Sequence, residues 1–144
     1  MGKSKKICWK ISLAAAPAAV FDLVSTNKGR EMFWADQSRE AGDGFELVFA
    51  SGESVTCRVI EESPPESFVF EYFGASRITF TIKPGTDGGT DFEVREANCP
   101  EDEWLGNHAG WVAWLYCLKG AADHGVTLRN KSREKTWGKG FVDG

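Results

Sequence analysis

The chain has 144 residues, a formal net charge of -4, and a composition that is 42% hydrophobic and 12% aromatic. This length predicts one domain over residues 1–144, with a core that buries roughly 70% of the unfolded surface. The acidic balance, with no basic stripe beside the aromatic residues, argues against nucleic-acid binding. No apolar run approaches the roughly 20 residues of a membrane span.

The four cysteines, Cys8, Cys57, Cys99 and Cys117, are scattered along the chain without a CxxC pair. No histidine stands beside them at a spacing typical of metal ligands, so we expect neither a metal site nor another cofactor. The opening residues lead into a strand and lack the apolar core of a signal peptide. We therefore expect reduced, mostly buried thiols and a cytoplasmic protein.

The chain opens with a predicted strand and two short helices. Apolar residues alternate with polar ones over residues 7–13, which is the period-two pattern of a half-buried strand. Pro17 suits the first position of a helix, where its missing N–H is not needed. Gly29 helps to interrupt that helix, and a second short helix is predicted over residues 30–34.

A run of strands separated by turn signals follows Ala35. Each strand shows one apolar face, which predicts an antiparallel sheet with one side against the core and one side in water. We expect the charged side chains within these strands to point away from the core. The predicted strands cover residues 45–49, 55–59, 68–72, 78–82 and 92–94.

A long helix is predicted over residues 100–125, with Pro100 in its first turn and Gly125 as its stop. Its apolar face should pack on the core. One polar residue, His108, lies on that face, and Lys119 stands at its margin, where its stem can cover apolar surface while the ammonium reaches water. The residues of the apolar face are Trp104, His108, Trp111, Leu115, Leu118 and Ala122.

The opposite face of the helix is small and uncharged, unlike a face that meets solvent. Either the C-terminal tail, residues 126–144, or a second subunit in a homodimer could cover it. We favour the tail, because it carries apolar residues that a freely disordered segment does not need. The small face consists of Gly106, Ala109, Gly110, Ala113, Cys117 and Gly120.

The order of these elements, together with several short motifs, resembles the START-like, or SRPBCC, superfamily. The branch that it resembles is related to the C-terminal domain of the heat-shock ATPase activator. The resemblance covers residues 7–125. The motifs are Ala16-Pro17, Val20-Phe21 and Phe33-Trp34, Pro64-Pro65 before Phe68-Val69-Phe70, Gly88-Gly89-Thr90, and Gly110-Trp111 with Leu115, Leu118 and Lys119.

The resemblance implies an α+β helix-grip fold. In this fold a curved antiparallel sheet of about six or seven strands wraps around the long C-terminal helix, and two short helices follow the first strand. Members of the superfamily commonly enclose an apolar cavity between sheet and helix, and the resemblance implies such a cavity here. The motifs are structural, so they support the fold more strongly than any function.

An excess of large rings could line this cavity or simply fill the core. For a single ring packing is the more common role, whereas for the group the implied fold favours a cavity. We predict that His108 is its one polar contact, although a lone histidine on an apolar face is more often a core residue. The predicted ligand-binding residues are Trp34, Phe45, Phe68, Phe70, Tyr72, Phe80, Trp104, His108, Trp111 and Leu115.

These observations favour a protein that binds a small hydrophobic or aromatic molecule, with lipids among the candidates. One alternative is an enzyme resembling polyketide cyclases and aromatases, in which His108 acts as acid or base. The inner polar groups, His108 and Lys119 with Tyr72 and Tyr116 as partners, make a thin active site, so we assign no catalytic residue. Another alternative, implied by the family name alone, is a co-chaperone-like module that contacts a chaperone in the stress response.

Overall fold

The structure is a computed structural model that describes residues 4–144, so the first three residues of the predicted domain lie outside it. Seven strands form one antiparallel sheet in the order β1-β7-β6-β5-β4-β3-β2. The strands are β1 (Ser4–Leu13), β2 (Gln37–Ala41), β3 (Gly44–Val48), β4 (Ser54–Ser63), β5 (Ser67–Glu71), β6 (Arg77–Pro84) and β7 (Thr90–Pro100). The helices are α1 (Pro17–Ser25), α2 (Asn27–Phe33) and α3 (Trp104–His124).

Helix α3 packs on the inner face of the sheet. Its Trp114 ring lies 5.0 Å from the ring of Phe80 in β6 and 5.8 Å from that of Phe92 in β7, measured between centroids. Leu118, one turn further on, is fully buried. The predicted α+β helix-grip fold, with its curved sheet and long C-terminal helix, is confirmed.

The two short helices join at Thr26, which ends α1 and caps α2. Its hydroxyl accepts a hydrogen bond from the amide of Gly29 at 3.1 Å, so α2 begins at Asn27 and not at residue 30 as predicted. Arg30 is thereby placed inside the core. Its guanidinium donates to Ser38 Oγ at 2.9 Å and to Val24 O at 3.0 Å, and burial lowers its pKa to about 10.

Helix α3 begins later than the sequence predicts. Strand β7 continues to Pro100 because its last residues pair with β1, Cys99 with Lys5 and Pro100 with Ser4. A single 3₁₀ turn, Glu101–Glu103, then leads into the helix. The other end agrees with the prediction, since Gly125 adopts the left-handed conformation, with φ of 65°, that ends many helices.

The tail, residues 126–144, runs back over α3 and α2. A Cβ placed on Gly120 would lie 2.7 Å from Leu128 Cδ1, so this part of the small helix face is covered by the tail. Further along, Arg129 Nη1 donates to the carbonyl of Trp34, and Lys131 Nζ donates to that of Glu31 at 2.8 Å. Among residues 4–144, no helix is long and apolar enough to cross a bilayer.

Candidate functional site

A pocket of about 760 Å³ lies beside the N-terminal half of α3. Its walls are the helix, the loop between β3 and β4, the residues after β5, and the tail. Its lining residues are Trp34, Phe49, Ala50, Ser51, Glu53, Tyr72, Phe73, Glu96, Glu103, Gly106, Asn107, Gly110, Trp111, Ala113, Trp114, Cys117, Arg129, Thr136, Trp137, Gly138, Val142 and Gly144.

The helix wall of this pocket comes from the small face of α3. Gly106 and Gly110 are helical, and a Cβ on either would have no neighbour among residues 4–144 within 4 Å other than the adjacent backbone of the same helix. Glycine in a helix interior costs about 1 kcal/mol relative to alanine. Both glycines leave space beside the helix, and Gly110, which lies in the helix interior, does so at a cost in helix stability.

A buried carboxylate, Glu96, forms the polar floor of the pocket. Glu96 lies in β7 and is only 3% exposed. Its Oε1 accepts a hydrogen bond from Trp111 Nε1 at 2.8 Å, and its Oε2 accepts one from Asn107 Nδ2 at 3.3 Å. The predicted strand ends at residue 94, so no orientation is predicted for Glu96; the alternation that buries Phe92 and Val94 continues and also buries Glu96.

The formal charges on the lining are mainly negative. Glu53, Glu96 and Glu103 are acidic, and Arg129 is the basic residue among the lining side chains. The guanidinium of Arg129 is already bound to backbone, since its Nη1 donates to Trp34 O and its Nη2 to Gly144 O. Burial lowers the pKa of Arg129. Within the described residues, no basic side chain lies within 4.0 Å of the Glu96 carboxylate.

The aromatic wall is held together by a hydrogen bond and by ring contacts. Tyr72 Oη accepts from Trp34 Nε1 at 3.2 Å, and the Tyr72 ring lies 5.9 Å from that of Trp111. Burial raises the pKa of Tyr72, so the side chain is a neutral phenol at ordinary pH. This wall is therefore apolar in character, with one hydroxyl.

The predicted site residues fall into three groups. Trp34, Tyr72 and Trp111 line the pocket. A second group packs within the core and does not contribute to the lining: Phe45, Phe68, Phe70, Phe80 and Leu115. Trp104 and His108 form the third group, which lies against β1 outside the pocket lining.

His108 is held by tryptophans on the β1 side of the helix. Trp9 Nε1 donates to His108 Nδ1 at 2.9 Å, and the Trp104 ring packs edge-on at 4.2 Å between centroids. Because Nδ1 accepts this bond, the ring proton is assigned to Nε2, which is buried and has no partner among residues 4–144. The basic lone pair of His108 is thus already engaged.

Lys119, which the sequence places at the margin of the apolar helix face, joins the end of α3 to the end of β1. Its Nζ donates to Ser12 O at 2.6 Å and lies 3.3 Å from Asp123 Oδ2. Asp123 also accepts from the amides of Ala14 and Ala15. Burial raises the pKa of Asp123, but these hydrogen bonds outweigh it and bring the pKa below the ordinary value.

Sequence reasoning missed several residues of the pocket. Glu96 could have been found by extending the alternation of β7 by one step beyond Val94. Asn107 lies beside it on α3. Arg129 and Trp137 belong to the tail, whose irregular backbone gives no periodic signal. In the part of the chain that the structure describes, no cluster of His, Cys, Asp or Glu is arranged to hold a metal ion.

Comparison with known proteins finds similarity in solved structures. No family model matches the sequence, and no curated protein matches it significantly. The Aha1 dimer structure from Colwellia psychrerythraea has a TM-score of 0.74 at 20% identity, covering 84% of this chain and 98% of that chain. Protein SSP2350 from Staphylococcus saprophyticus has a TM-score of 0.77 at 24% identity, covering 87% and 96%.

DynU16, a protein of the dynemicin biosynthetic locus, is also similar, with a TM-score of 0.74 at 17% identity. The match covers 86% of this chain but 49% of DynU16, so this chain spans about half of that protein. At such identities the likeness concerns the fold, and it agrees with the seven-stranded sheet and long helix described above. The chain therefore has the same helix-grip fold as these proteins.

Proposed function

We propose that this protein binds a small apolar or aromatic molecule in the pocket beside α3. The observation that supports this most directly is the volume of about 760 Å³. Ligand pockets typically measure about 300–1,000 Å³ and combine apolar walls with a few fixed polar groups. Here the tryptophans and Tyr72 supply the apolar wall, and Glu96 supplies a fixed polar group.

A fluorescence titration tests this proposal. N-phenyl-1-naphthylamine is neutral and brightens in apolar surroundings, so its fluorescence should rise and saturate with the wild-type protein. Gly110→Leu places a side chain into the pocket space and should weaken binding at least about tenfold, a loss of about 1.4 kcal/mol. Ala19→Leu adds the same side chain at an exposed position of α1 and is the matched control.

The pattern across the two variants decides the result. Loss of binding in Gly110→Leu with normal binding in Ala19→Leu supports the pocket. Equal binding by all three proteins places the probe elsewhere and contradicts the proposal. Circular dichroism of each variant shows whether a loss of binding reflects unfolding.

We further propose that the exposed apolar stripe of α3 receives a second copy of the chain. Leu105, Val112 and Tyr116 are 76%, 38% and 61% exposed, and with Ala109 they recur on one helical face. The similar Aha1 structure is described as a dimer. Sedimentation velocity should show a concentration-dependent dimer that Val112→Lys abolishes. A wild-type protein that stays monomeric at high concentration contradicts this proposal.

The state of the cysteines supports a cytoplasmic location. Cys8, Cys57, Cys99 and Cys117 are all free thiols, and the last three are buried. Burial raises the pKa of Cys57 to about 12, which keeps this thiol protonated and unreactive. Such thiols are typical of a reducing compartment, where disulfides are rare.

A further inference from the structure

Glu96 is an unusual group to find at the base of an aromatic pocket. Its carboxylate is 3% exposed, and its hydrogen-bond donors, Trp111 Nε1 and Asn107 Nδ2, are both neutral. A buried carboxylate is normally stabilised by a cation or by several donors. Because two oxygens offer about four acceptor positions, this one can accept further hydrogen bonds.

We propose that Glu96 pairs with a protonated amine, and that the pocket takes an aromatic or apolar molecule that carries one. This inference rests on the proposed binding function and names the class of ligand. In this arrangement the ammonium lies at Glu96, and the apolar part of the ligand lies against the rings of Trp34, Tyr72 and Trp111.

The charges around the pocket support a cation over an anion. Glu53, Glu96 and Glu103 give the lining three acidic side chains against one basic side chain, Arg129, whose guanidinium donates to the backbone oxygens of Trp34 and Gly144. The aromatic residues add to this preference, because the faces of tryptophan and tyrosine attract cations. An anionic ligand in contact with Glu96 would meet a buried carboxylate that has no cationic partner within 4.0 Å among the described residues.

Two probes with the same ring and linker isolate the contribution of the charge. 2-(2-Naphthyl)ethylamine is an alkylammonium at pH 7, since such amines ionise near the lysine value of about 10.4. 2-(2-Naphthyl)ethanol is its neutral counterpart. A hydrogen bond to a charged partner exceeds a neutral one by an amount that corresponds to about tenfold in affinity. Calorimetry should therefore show the wild-type protein binding the amine about tenfold more tightly than the alcohol.

Variants then assign this preference to one residue. Glu96→Gln keeps the shape and an acceptor for Trp111, and it should bring the amine-to-alcohol affinity ratio close to 1. Asn107→Lys leaves Glu96 in place but supplies a competing ammonium from the neighbouring position, and it should remove the preference in the same way. Glu53→Gln removes an exposed carboxylate of the same lining and should keep most of the preference, because solvent screens that charge.

The outcomes separate this inference from the function on which it rests. A ratio near 1 in the wild-type protein, or a ratio unchanged in folded Glu96→Gln and Asn107→Lys, overturns the amine proposal. If neither naphthyl compound binds while N-phenyl-1-naphthylamine still binds in a manner sensitive to Gly110→Leu, the amine proposal alone fails. If none of the three probes binds, both proposals fail.

Discussion

Replacing Gly110 by alanine should stabilise the protein. In the structure, a Cβ at Gly110 would meet nothing within 4 Å among residues 4–144 other than the adjacent backbone of its own helix. The full difference in helix propensity, about 1 kcal/mol in favour of alanine, should therefore appear in the free energy of unfolding. Unfolding entropies of about 2 cal/mol/K per residue, applied to 144 residues, convert this gain into a rise in Tm of about 3 °C.

Gly120 provides the matched control, since it lies in the same helix and on the same small face. A Cβ there would lie 2.7 Å from Leu128 Cδ1 and 2.8 Å from Leu128 Cγ, so the tail must shift to admit it. Overpacking of this kind costs about 1–3 kcal/mol, which cancels or exceeds the propensity gain. Gly120→Ala should therefore be less stable than Gly110→Ala by at least about 1 kcal/mol.

Urea denaturation followed by tryptophan fluorescence measures both free energies. The two variants should differ in their midpoints with similar denaturant slopes, because the surface exposed on unfolding is nearly unchanged. If Gly110→Ala destabilises the protein, or if the two substitutions have equal effects, the space beside Gly110 is already occupied. The description of Gly106 and Gly110 as an open wall of the pocket would then be wrong.

Three other substitutions test two polar contacts of the fold and one wall of the pocket. Asp123→Asn should lower the free energy of unfolding by about 2 kcal/mol at neutral pH. Because the folded-state pKa of Asp123 is lowered, its contribution to stability is present above the unfolded value of about 3.9 and is lost as pH falls through the folded pKa. The urea midpoints of the wild-type protein and the variant should therefore converge at acid pH. Arg30→Met should lower the free energy of unfolding by about 2–3 kcal/mol, because the Ser38 and Val24 acceptors lose their donor. An unchanged urea midpoint contradicts this prediction. Trp137→Ala should weaken the binding of N-phenyl-1-naphthylamine about five- to tenfold with little change in Tm. An unchanged affinity would show that the tail does not contribute to the site.

The fold could be predicted because its elements bury continuous apolar patterns. Alternation predicted six of the seven strands, all except β2, and the 3.6-residue period predicted that α3 packs over them. Element ends were less predictable, because they depend on partners elsewhere in the chain. Pairing of Cys99 and Pro100 with β1 extends the last strand, and the Thr26 cap moves the start of α2.

The pocket was harder to predict, because it is made of features without a period. Its helix wall is defined by missing side chains at Gly106 and Gly110, and its outer wall by an irregular tail. The small face of α3 did indicate that something lies beside the helix. The pattern could not show which part of this face is covered and which is open. Leu128 covers Gly120, whereas space is left open further along the same face.

The many aromatic rings that suggested a ligand cavity also explain why the pocket lies to one side of the core and not at its centre. Trp34 alone lies within 6 Å, between ring centroids, of Phe45, Phe70, Phe80 and Trp114, so these rings fill the space between sheet and helix. Open volume remains where α3 has glycines in place of large side chains. The rings of the core therefore hold the sheet and α3 at a fixed separation, and Glu96, which borders both core and pocket, is the buried carboxylate of the pocket lining.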